Sequence, residues 1–340
     1  MNNYDISMDI KNKAYELGYD LCGIIEAKSF NEFNDYIKER VSKFPKSVHL
    51  YENLYGLGEP LKKADWAKSI IICIRRYNKY KMPKNIQKYF GKVYLFDGRL
   101  NYAKEYTNKE LFENYLKDHG MKVYADGITA RWAAAKAGLG YFRKNNFIYT
   151  KFGSYVWIDT WMVDVEMKYD SETDKEIKPC PKDCNKCIQA CPTKALSDDF
   201  TMDRGACIAH LSFYDTDVPK EEIREEMGAW MYGCDICQDV CPINKNKWSE
   251  DYEFPRLKEL DETLTLEQIL TMDESTLLSV LQPRFWYISK DRIWLWKCNA
   301  IRAMVNSGDD KYMQYIKDAC KDENDKVKSM ALWAIKRLES

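Results

Sequence analysis

Apolar and polar positions along residues 1–168 follow the spacing of short helices and strands in alternation. Met8–Leu17 has the pattern of an amphipathic helix, Cys22–Ile25 that of a short strand, and Ala64–Ile74 ends in the continuous apolar run of a buried strand. The same criteria predict a helix over Lys109–His119, a strand over Val123–Ala125 and a helix over Thr129–Ala137 that ends at Gly138-Leu139-Gly140. The pattern predicts a mixed α/β domain.

The remaining chain divides into two regions that differ in composition and in the spacing of their apolar residues. A polar linker over 168–178 leads to a cysteine-rich segment, an acidic irregular stretch covers 246–264, and apolar spacing typical of helices runs from Leu266 to the end. Residues 322–338 have the form of one helical repeat of the HEAT type. We therefore predict an α+β chain with an α/β domain at 1–168, a ferredoxin-like domain at 169–245 and HEAT-like helical repeats at 246–340.

Eight of the twelve cysteines form a pattern typical of two iron–sulfur clusters. Short spacings let thiolates converge on one cluster, and a Cys-Pro ending carries the fourth thiolate across to the other cluster. By this rule one [4Fe–4S] cluster is held by Cys180, Cys184, Cys187 and Cys241, and the other by Cys191, Cys207, Cys234 and Cys237.

Other uses of these cysteines fit less well. Zinc sites use Cys pairs at finger spacing, without two interlocked Cys-Pro endings. Disulfides need an oxidising compartment, and the chain opens without an apolar signal segment. The four remaining cysteines are expected to be small apolar residues: Cys22, Cys73, Cys298 and Cys320.

Charge and hydropathy narrow the location and the partners. The net charge is −1, and the apolar run Ser69–Ile74 is too short to cross a bilayer, so we expect a cytoplasmic protein that does not enter membranes. Lys62–Lys92 nevertheless contains ten Lys and Arg residues against a single acidic residue. Aromatic residues are interleaved among these cations, including Tyr77, Tyr80, Tyr89 and Phe90. Such a segment binds phosphates or forms a solvated basic surface.

Two motifs resemble those of the epoxyqueuosine reductases, the cobalamin-dependent enzymes that complete queuosine synthesis on tRNA. Tyr232–Asn244 is similar to the family signature, and Ala137–Asn145 is similar to its Ala-Gly-Leu-Gly-Trp-x-Gly-Lys-Asn segment. Gly153-Ser154 and the HEAT-type tail agree with the family as well. The resemblance implies two [4Fe–4S] clusters and cobalamin as cofactors, tRNA (through its anticodon region) as partner, and a ferredoxin or flavodoxin as electron donor.

The chain departs from the family pattern around the expected substrate pocket. The family's Asp-Thr-x-Pro-x-x-Glu-Arg segment is shorter here, its Asp-Tyr-His becomes Asn101-Tyr102-Ala103, and the first cysteine spacing is one residue longer. Two alternatives therefore stand beside tRNA reduction. The same cofactors serve small-molecule reduction in the related reductive dehalogenases, and two clusters alone serve in electron carriers.

The resemblance also assigns roles to individual residues. Asp126 matches the family's catalytic aspartate, so we expect it to donate a proton, buried against the cofactor with a raised pKa; the structural alternative is a cap for the helix near Thr129. Tyr102 is the second candidate acid. Cofactor contacts are expected from Arg131, Lys144, Asn145, Ser154, Asp235 and Gln238. With only three histidines and no Asp-x-His-x-x-Gly motif, we expect cobalamin bound without an imidazole ligand, and His210 in a structural role.

Overall fold

A four-stranded antiparallel sheet forms the centre of the N-terminal half in a computed structural model, which describes residues 3–171, 180–214 and 217–339. Its strands lie in the order β1 (Leu21–Glu26), β2 (Ser69–Arg76), β6 (Val156–Val163) and β3 (Val123–Ala125). Ser69 to Ile74 of β2 pairs with both neighbours, which places Cys73 opposite Cys22 on one side and opposite Asp159 on the other. The central strand is buried on both faces, as its continuous apolar sequence predicts.

The bounds of the elements follow in chain order. The strands are β1 Leu21–Glu26, β2 Ser69–Arg76, β3 Val123–Ala125, β4 Tyr141–Phe142, β5 Ile148–Tyr149 and β6 Val156–Val163. The N-terminal helices are α1 Asn3–Glu16, α2 Asn31–Lys43, α3 Lys92–Leu95, α4 Lys104–Asp118 and α5 Ala130–Lys136. The helices of the cysteine-rich region are α6 Lys186–Ala190, α7 Ile208–Phe213, α8 Glu221–Arg224 and α9 Ile236–Asp239. The C-terminal helices are α10 Leu257–Thr263, α11 Leu266–Thr271, α12 Glu274–Val280, α13 Trp294–Ser307, α14 Met313–Ala319 and α15 Asp325–Glu339.

Each face of the sheet carries its own hydrophobic cluster. Ile70, Ile72 and Ile74 of β2 pack with residues of α2 and α5, whereas Ile71 and Cys73 pack with residues of α1 and α4. This alternation is the two-residue period of a strand. The helices and strands predicted in this half are present, with α4 beginning five residues before the predicted start; most of the predicted linker lies outside the described residues.

A third and larger cluster joins two distant parts of the chain. Residues 77–103 share one core with residues 213–232 and with the C-terminal helices. The ring centroids of Phe90 and Phe285 lie 4.7 Å apart, and Tyr232 stacks on Trp296 at 5.3 Å. The aromatic residues of the basic segment are buried here: Tyr77, Tyr80, Tyr89 and Phe90. They therefore do not form a stacking surface for nucleobases.

The basic segment itself is partly neutralised. Arg76 pairs with Asp20, and Lys81 pairs with Glu253, while Lys62 and Lys63 remain exposed. Only part of the predicted phosphate-binding surface is therefore available. Among the described residues, no helix has the length and apolar character needed to cross a membrane.

Candidate active site

The first predicted set of cysteines comes together at the start of α6 and the end of α9. The thiol of Cys187 lies within electrostatic range of the thiols of Cys180 and Cys241. Lys144 lies within the same range of Cys180 and Cys184. We name this group cluster site 1: Cys180, Cys184, Cys187 and Cys241.

The second predicted set assembles around the start of α7. Cys207 lies within electrostatic range of Cys191, and Cys234 of both. Cys237 interacts in the same way with Cys234 and Cys207. We name this group cluster site 2: Cys191, Cys207, Cys234 and Cys237. Cys237 also lies within electrostatic range of Cys187 of cluster site 1, so the division of the eight cysteines into these two ligand sets stays a prediction from the Cys-Pro rule.

The chemistry of these thiols suits iron–sulfur clusters. Burial raises the pKa of Cys187 to about 11 and also raises the pKa of Cys234, so a positively charged centre is needed to hold them as thiolates. Among the described residues, no three His, Cys, Asp or Glu side chains converge as they would around a single metal ion.

A buried hydrogen-bond network braces the loop between the two cluster sites. Asp235 accepts from the backbone N–H of Lys92 at 2.6 Å and from Gln238 Nε2 at 2.9 Å. Ser154 Oγ donates to Gln238 Oε1 at 2.8 Å, and Asn244 Nδ2 donates to Ser154 Oγ at 2.9 Å. Burial raises the pKa of Asp235 to about 6, with Lys92 acting in the opposite direction. Three residues predicted to contact a cofactor thus support the cysteine loop in this structure, and their cofactor contacts stay a prediction: Ser154, Asp235 and Gln238.

Lys144 and Asn145 follow strand β4, and their side chains go to different places. Lys144 Nζ donates to the backbone oxygen of Lys182 at 3.0 Å and also pairs with Asp198. It therefore holds the loop of cluster site 1. Asn145 Nδ2 donates to the backbone oxygen of Cys237 at 3.0 Å, and Asn145 also lines a cavity.

That cavity has a volume of about 330 Å³ and lies against cluster site 2. All four cysteines of the site line it, together with Arg131. An adjoining pocket of about 180 Å³ shares Arg131 and includes Ile128 and Thr129. A group bound in the cavity would therefore lie directly beside the second cluster. A larger cavity of about 430 Å³, lined partly by Arg75 and Glu105, includes no cysteine.

Asp126 occupies the loop that leads from β3 to this adjoining pocket. Its backbone φ is +58°, and that of Gly127 is +75°, so two consecutive residues turn through the left-handed region. The Asp126 side chain is 56% exposed and pairs with Lys109 Nζ at 2.6 Å, contrary to the predicted burial. The alternative role as a helix cap is wrong, because Thr129 is the N-cap residue of α5 and the Asp126 carboxylate bonds to Lys109 instead.

Tyr102 does not reach the cavity. Its hydroxyl accepts from Arg284 Nη2 at 3.0 Å, and the guanidinium of Arg256 lies 4.3 Å from its ring centroid. It packs against the core shared with the C-terminal helices. The structure therefore favours a packing role for Tyr102 over that of a second acid.

His210 lines the cavity but is already bonded. Its Nε2 accepts from Arg204 Nε, and burial lowers its pKa to about 3, with the Arg204 charge acting in the same direction. The imidazole is therefore neutral, and its Nε2 lone pair is occupied. This arrangement agrees with the structural role expected from the sequence.

Comparison with known proteins decides the family. A family model described as a 4Fe-4S double cluster binding domain matches residues 180–244. An epoxyqueuosine reductase of Leadbetterella byssophila is 32% identical over 253 residues, which make up 71% of this chain and 80% of that protein. The chain belongs to the epoxyqueuosine reductase family.

Solved structures of epoxyqueuosine reductases have the same fold as this family member. One contains a tRNA-Tyr epoxyqueuosine-modified stem loop; it has a TM-score of 0.82 at 23% identity and covers 100% of this chain and 92% of its own. Another, from Bacillus subtilis, has an aspartate-bearing catalytic loop swung out of the active site. Its TM-score is 0.83 at 23% identity, with 99% of this chain and 91% of that chain covered. The mixed α/β fold and the family resemblance are thereby confirmed.

Sequence reasoning missed part of the cavity wall in this epoxyqueuosine reductase family member. Arg40 and Arg204 line the cavity beside Arg131, but they come from α2 and from the loop before α7. Nothing in the local sequence distinguishes them from surface arginines. Only the fold brings them to the cavity.

Proposed function

We propose that this protein reduces epoxyqueuosine to queuosine in tRNA, with electrons passing through two [4Fe–4S] clusters to cobalamin bound in the cavity. The observation that carries the proposal is that all four cysteines of cluster site 2 line this cavity. Electrons that reach this cluster are then adjacent to any group bound in the cavity. The family membership gives the reaction its class, and we place it in the cytoplasm, where thiolates stay reduced.

The residues around the cavity fit a corrinoid bound without an imidazole ligand. Cobalamin, when bound, supplies a strong low-potential reductant next to the substrate. His210 Nε2 already accepts from Arg204, while Arg131 presents guanidinium donors to the cavity and Asn145 lines it. The role of Ser154, Asp235 and Gln238 is to hold the cysteine loop that forms one wall.

Asp126 is the proposed proton donor. Loss of the epoxide oxygen as water consumes two electrons and two protons, so an acid beside the substrate lowers the barrier. In the present conformation Asp126 bonds to Lys109. Asp126 lies three residues before Thr129, which belongs to the wall of the adjoining pocket. The Bacillus subtilis relative, whose catalytic loop is swung out of its active site, gives a precedent for movement of this loop.

The approach of tRNA is assigned to the surface around this loop. Lys63 Nζ donates to the backbone oxygen of Gly127, and Lys62 is exposed beside it. Backbone phosphates of an anticodon stem loop are attracted to such cations. The relative crystallised with a modified stem loop supports this partner. We also propose that the chain has three domains, at 1–168, 169–245 and 246–340. In the last of them α13 packs against α15 in the manner of a HEAT repeat.

The direct test is conversion of the modified nucleoside. Protein with both clusters, incubated with cobalamin, a reductant and epoxyqueuosine-tRNA, should yield queuosine by mass spectrometry of the digested tRNA. Omitting cobalamin should stop the reaction. If no queuosine forms under single-turnover conditions, with both clusters and cobalamin bound, this function is excluded.

Charge reversal near the loop should weaken tRNA binding. Lys62→Glu and Lys63→Glu together should reduce stem-loop affinity and make its salt dependence shallower, because each removes a phosphate contact. Lys13→Glu on α1, which packs on the opposite face of the sheet, is the matched control. Equal losses in both variants would point to a general charge effect and not to this surface.

Electrons are proposed to enter at cluster site 1 from an acidic carrier of the ferredoxin or flavodoxin type. Val240 and Ile243 are each 37% exposed on either side of the Cys241-Pro242 pair. The exposed side chains of Lys186 and Lys245 lie close in sequence to cluster ligands. An apolar patch bordered by cations matches an acidic partner that carries electrons.

Reversing these charges should slow electron entry. Lys186→Glu with Lys245→Glu should lower the rate of cluster reduction by reduced ferredoxin several-fold and weaken its ionic-strength dependence, because border charges act mainly on association. Reduction by dithionite should remain unchanged, as should the Lys13→Glu control. A loss seen equally with dithionite would indicate damage to the cluster and not to docking.

A further inference from the structure

Three arginines from separate parts of the chain line the cavity together. They are Arg40 on α2, Arg131 on α5 and Arg204 in the loop that leads to Cys207. Burial lowers the pKa of Arg40 to about 10, and the charges of Arg131 and Arg204 act in the same direction. The three guanidinium groups therefore lie close enough to repel one another.

Their hydrogen-bond partners among the described residues are neutral. Arg40 donates to Asn146 Oδ1, and Arg131 Nη1 donates to the backbone oxygen of Asn146 at 2.7 Å. Arg204 Nη1 donates to the backbone oxygen of Leu50 and to Asn53 Oδ1 at 3.2 Å. Within the described ranges, none of the three arginines forms an ion pair with a carboxylate.

The nearest acidic side chains are engaged elsewhere. Asp199 pairs with Lys43 and accepts from Thr201 Oγ1 at 2.5 Å. Asp203 accepts from Ser47 Oγ at 2.6 Å and from the backbone N–H of Gly205. The positive charge of the three arginines is therefore offset only in part, by Asp199 near Arg40 and by the Cys207 thiol near Arg204.

Two of the arginines have donors without a hydrogen-bond partner among the described residues. Arg40 is 6% exposed, and its Nε is buried without a hydrogen-bond partner. The Arg131 side chain is exposed because it faces the cavity, although the surrounding protein still lowers its pKa by desolvation. Holding three like charges together in such a place costs free energy, which a bound anion offsets.

We infer that Arg40, Arg131 and Arg204 form a binding site for a phosphodiester. Guanidinium groups present forked donors that match the oxygens of a phosphate, which lysines or amides do not. The inference rests on the proposed function, because that function brings two phosphodiesters to the cavity. One is in the nucleotide loop of cobalamin, and the other is in the tRNA backbone.

Cobinamide separates the two sources, because it retains the corrin ring and lacks the nucleotide loop with its phosphodiester. Absorption titrations with cobalamin and cobinamide should be made on the protein with both clusters, as wild type and as Arg131→Gln. Wild type should prefer cobalamin. Arg131→Gln should bind cobalamin about 10- to 100-fold more weakly, as expected for loss of a hydrogen bond to a charged group, and cobinamide as before. The cobalamin affinity of Arg131→Lys should fall between those of the wild type and Arg131→Gln.

A second titration with an anticodon stem loop completes the test. Loss of stem-loop affinity in Arg131→Gln, with cobalamin binding unchanged, would support the phosphodiester site and assign it to tRNA. Arg204→Gln should give the same change in affinity as Arg131→Gln. Arg256→Gln is the control, because the Arg256 guanidinium stacks on Tyr102. Iron content and circular dichroism confirm that each variant is folded.

The proposal is overturned if Arg131→Gln and Arg204→Gln both keep the preference for cobalamin over cobinamide and the stem-loop affinity. A wild-type protein that binds neither corrinoid contradicts the proposed function itself. In that case the stem-loop titration alone decides whether the arginines bind phosphodiesters.

Discussion

Replacing Cys207 with alanine is expected to remove the cluster at cluster site 2 and to abolish turnover. Iron per chain should fall from about eight to about four, because each [4Fe–4S] cluster needs its full set of thiolates. Cluster site 1 has its own ligands and should keep its signal in electron paramagnetic resonance. Without the second cluster, electrons have no carrier beside the cavity, so no queuosine should form even with dithionite.

Two matched variants test this ligand assignment. Cys184→Ala should remove the other cluster, and Cys320→Ala should remove neither, because Cys320 lies in the C-terminal helices and its thiol donates to the Ile316 oxygen. Retention of about eight iron atoms in Cys207→Ala would show that another residue completes the site.

Replacing Asp126 with asparagine is expected to lower single-turnover conversion about 100- to 10,000-fold, the usual contribution of general acid catalysis. Asparagine keeps the size and the polar contacts of the side chain but has no proton of suitable acidity. Both clusters, cobalamin affinity and stem-loop affinity should remain, and the rate should be measured at saturating stem loop.

Lys109→Gln separates proton donation from the ion pair. This variant removes the 2.6 Å contact with Asp126 and the 3.3 Å contact with Asp159, and it leaves the acid in place. If Asp126 donates the proton, Lys109→Gln should keep most of the activity. If the ion pair alone matters, the two variants should lose activity to the same extent.

The sequence predicted the cluster chemistry well because its determinants are local. Within each cysteine motif a few residues fix which thiolates converge, and the Cys-Pro ending links the two sets. Strand β3 was predicted with its observed bounds for the same reason, since Gly120 and the Asp126-Gly127 turn enclose it.

Features that depend on distant partners were not predictable. Strand β6 carries Asp159 in its middle, a residue that argues against a buried strand. Asp159 is tolerated there because Tyr19 Oη donates to it at 3.0 Å and Arg75 Nη2 lies 3.1 Å away. In the same way, the sequence places aromatic residues among the cations of a predicted phosphate-binding or solvated surface, whereas the C-terminal helices bury those aromatic residues.

The shared aromatic core has a consequence for how the molecule unfolds. Phe90 packs on Phe285, and Tyr232 packs on Trp296. Unfolding of the C-terminal helices therefore exposes Phe90, which precedes α4, and Tyr232, which precedes Cys234. Contacts this far apart in sequence couple the stability of both ends of the chain. The C-terminal helices therefore do not form an independent folding unit. Truncation before α10 would expose an aggregation-prone aromatic surface and destabilise the loop that carries the cluster cysteines.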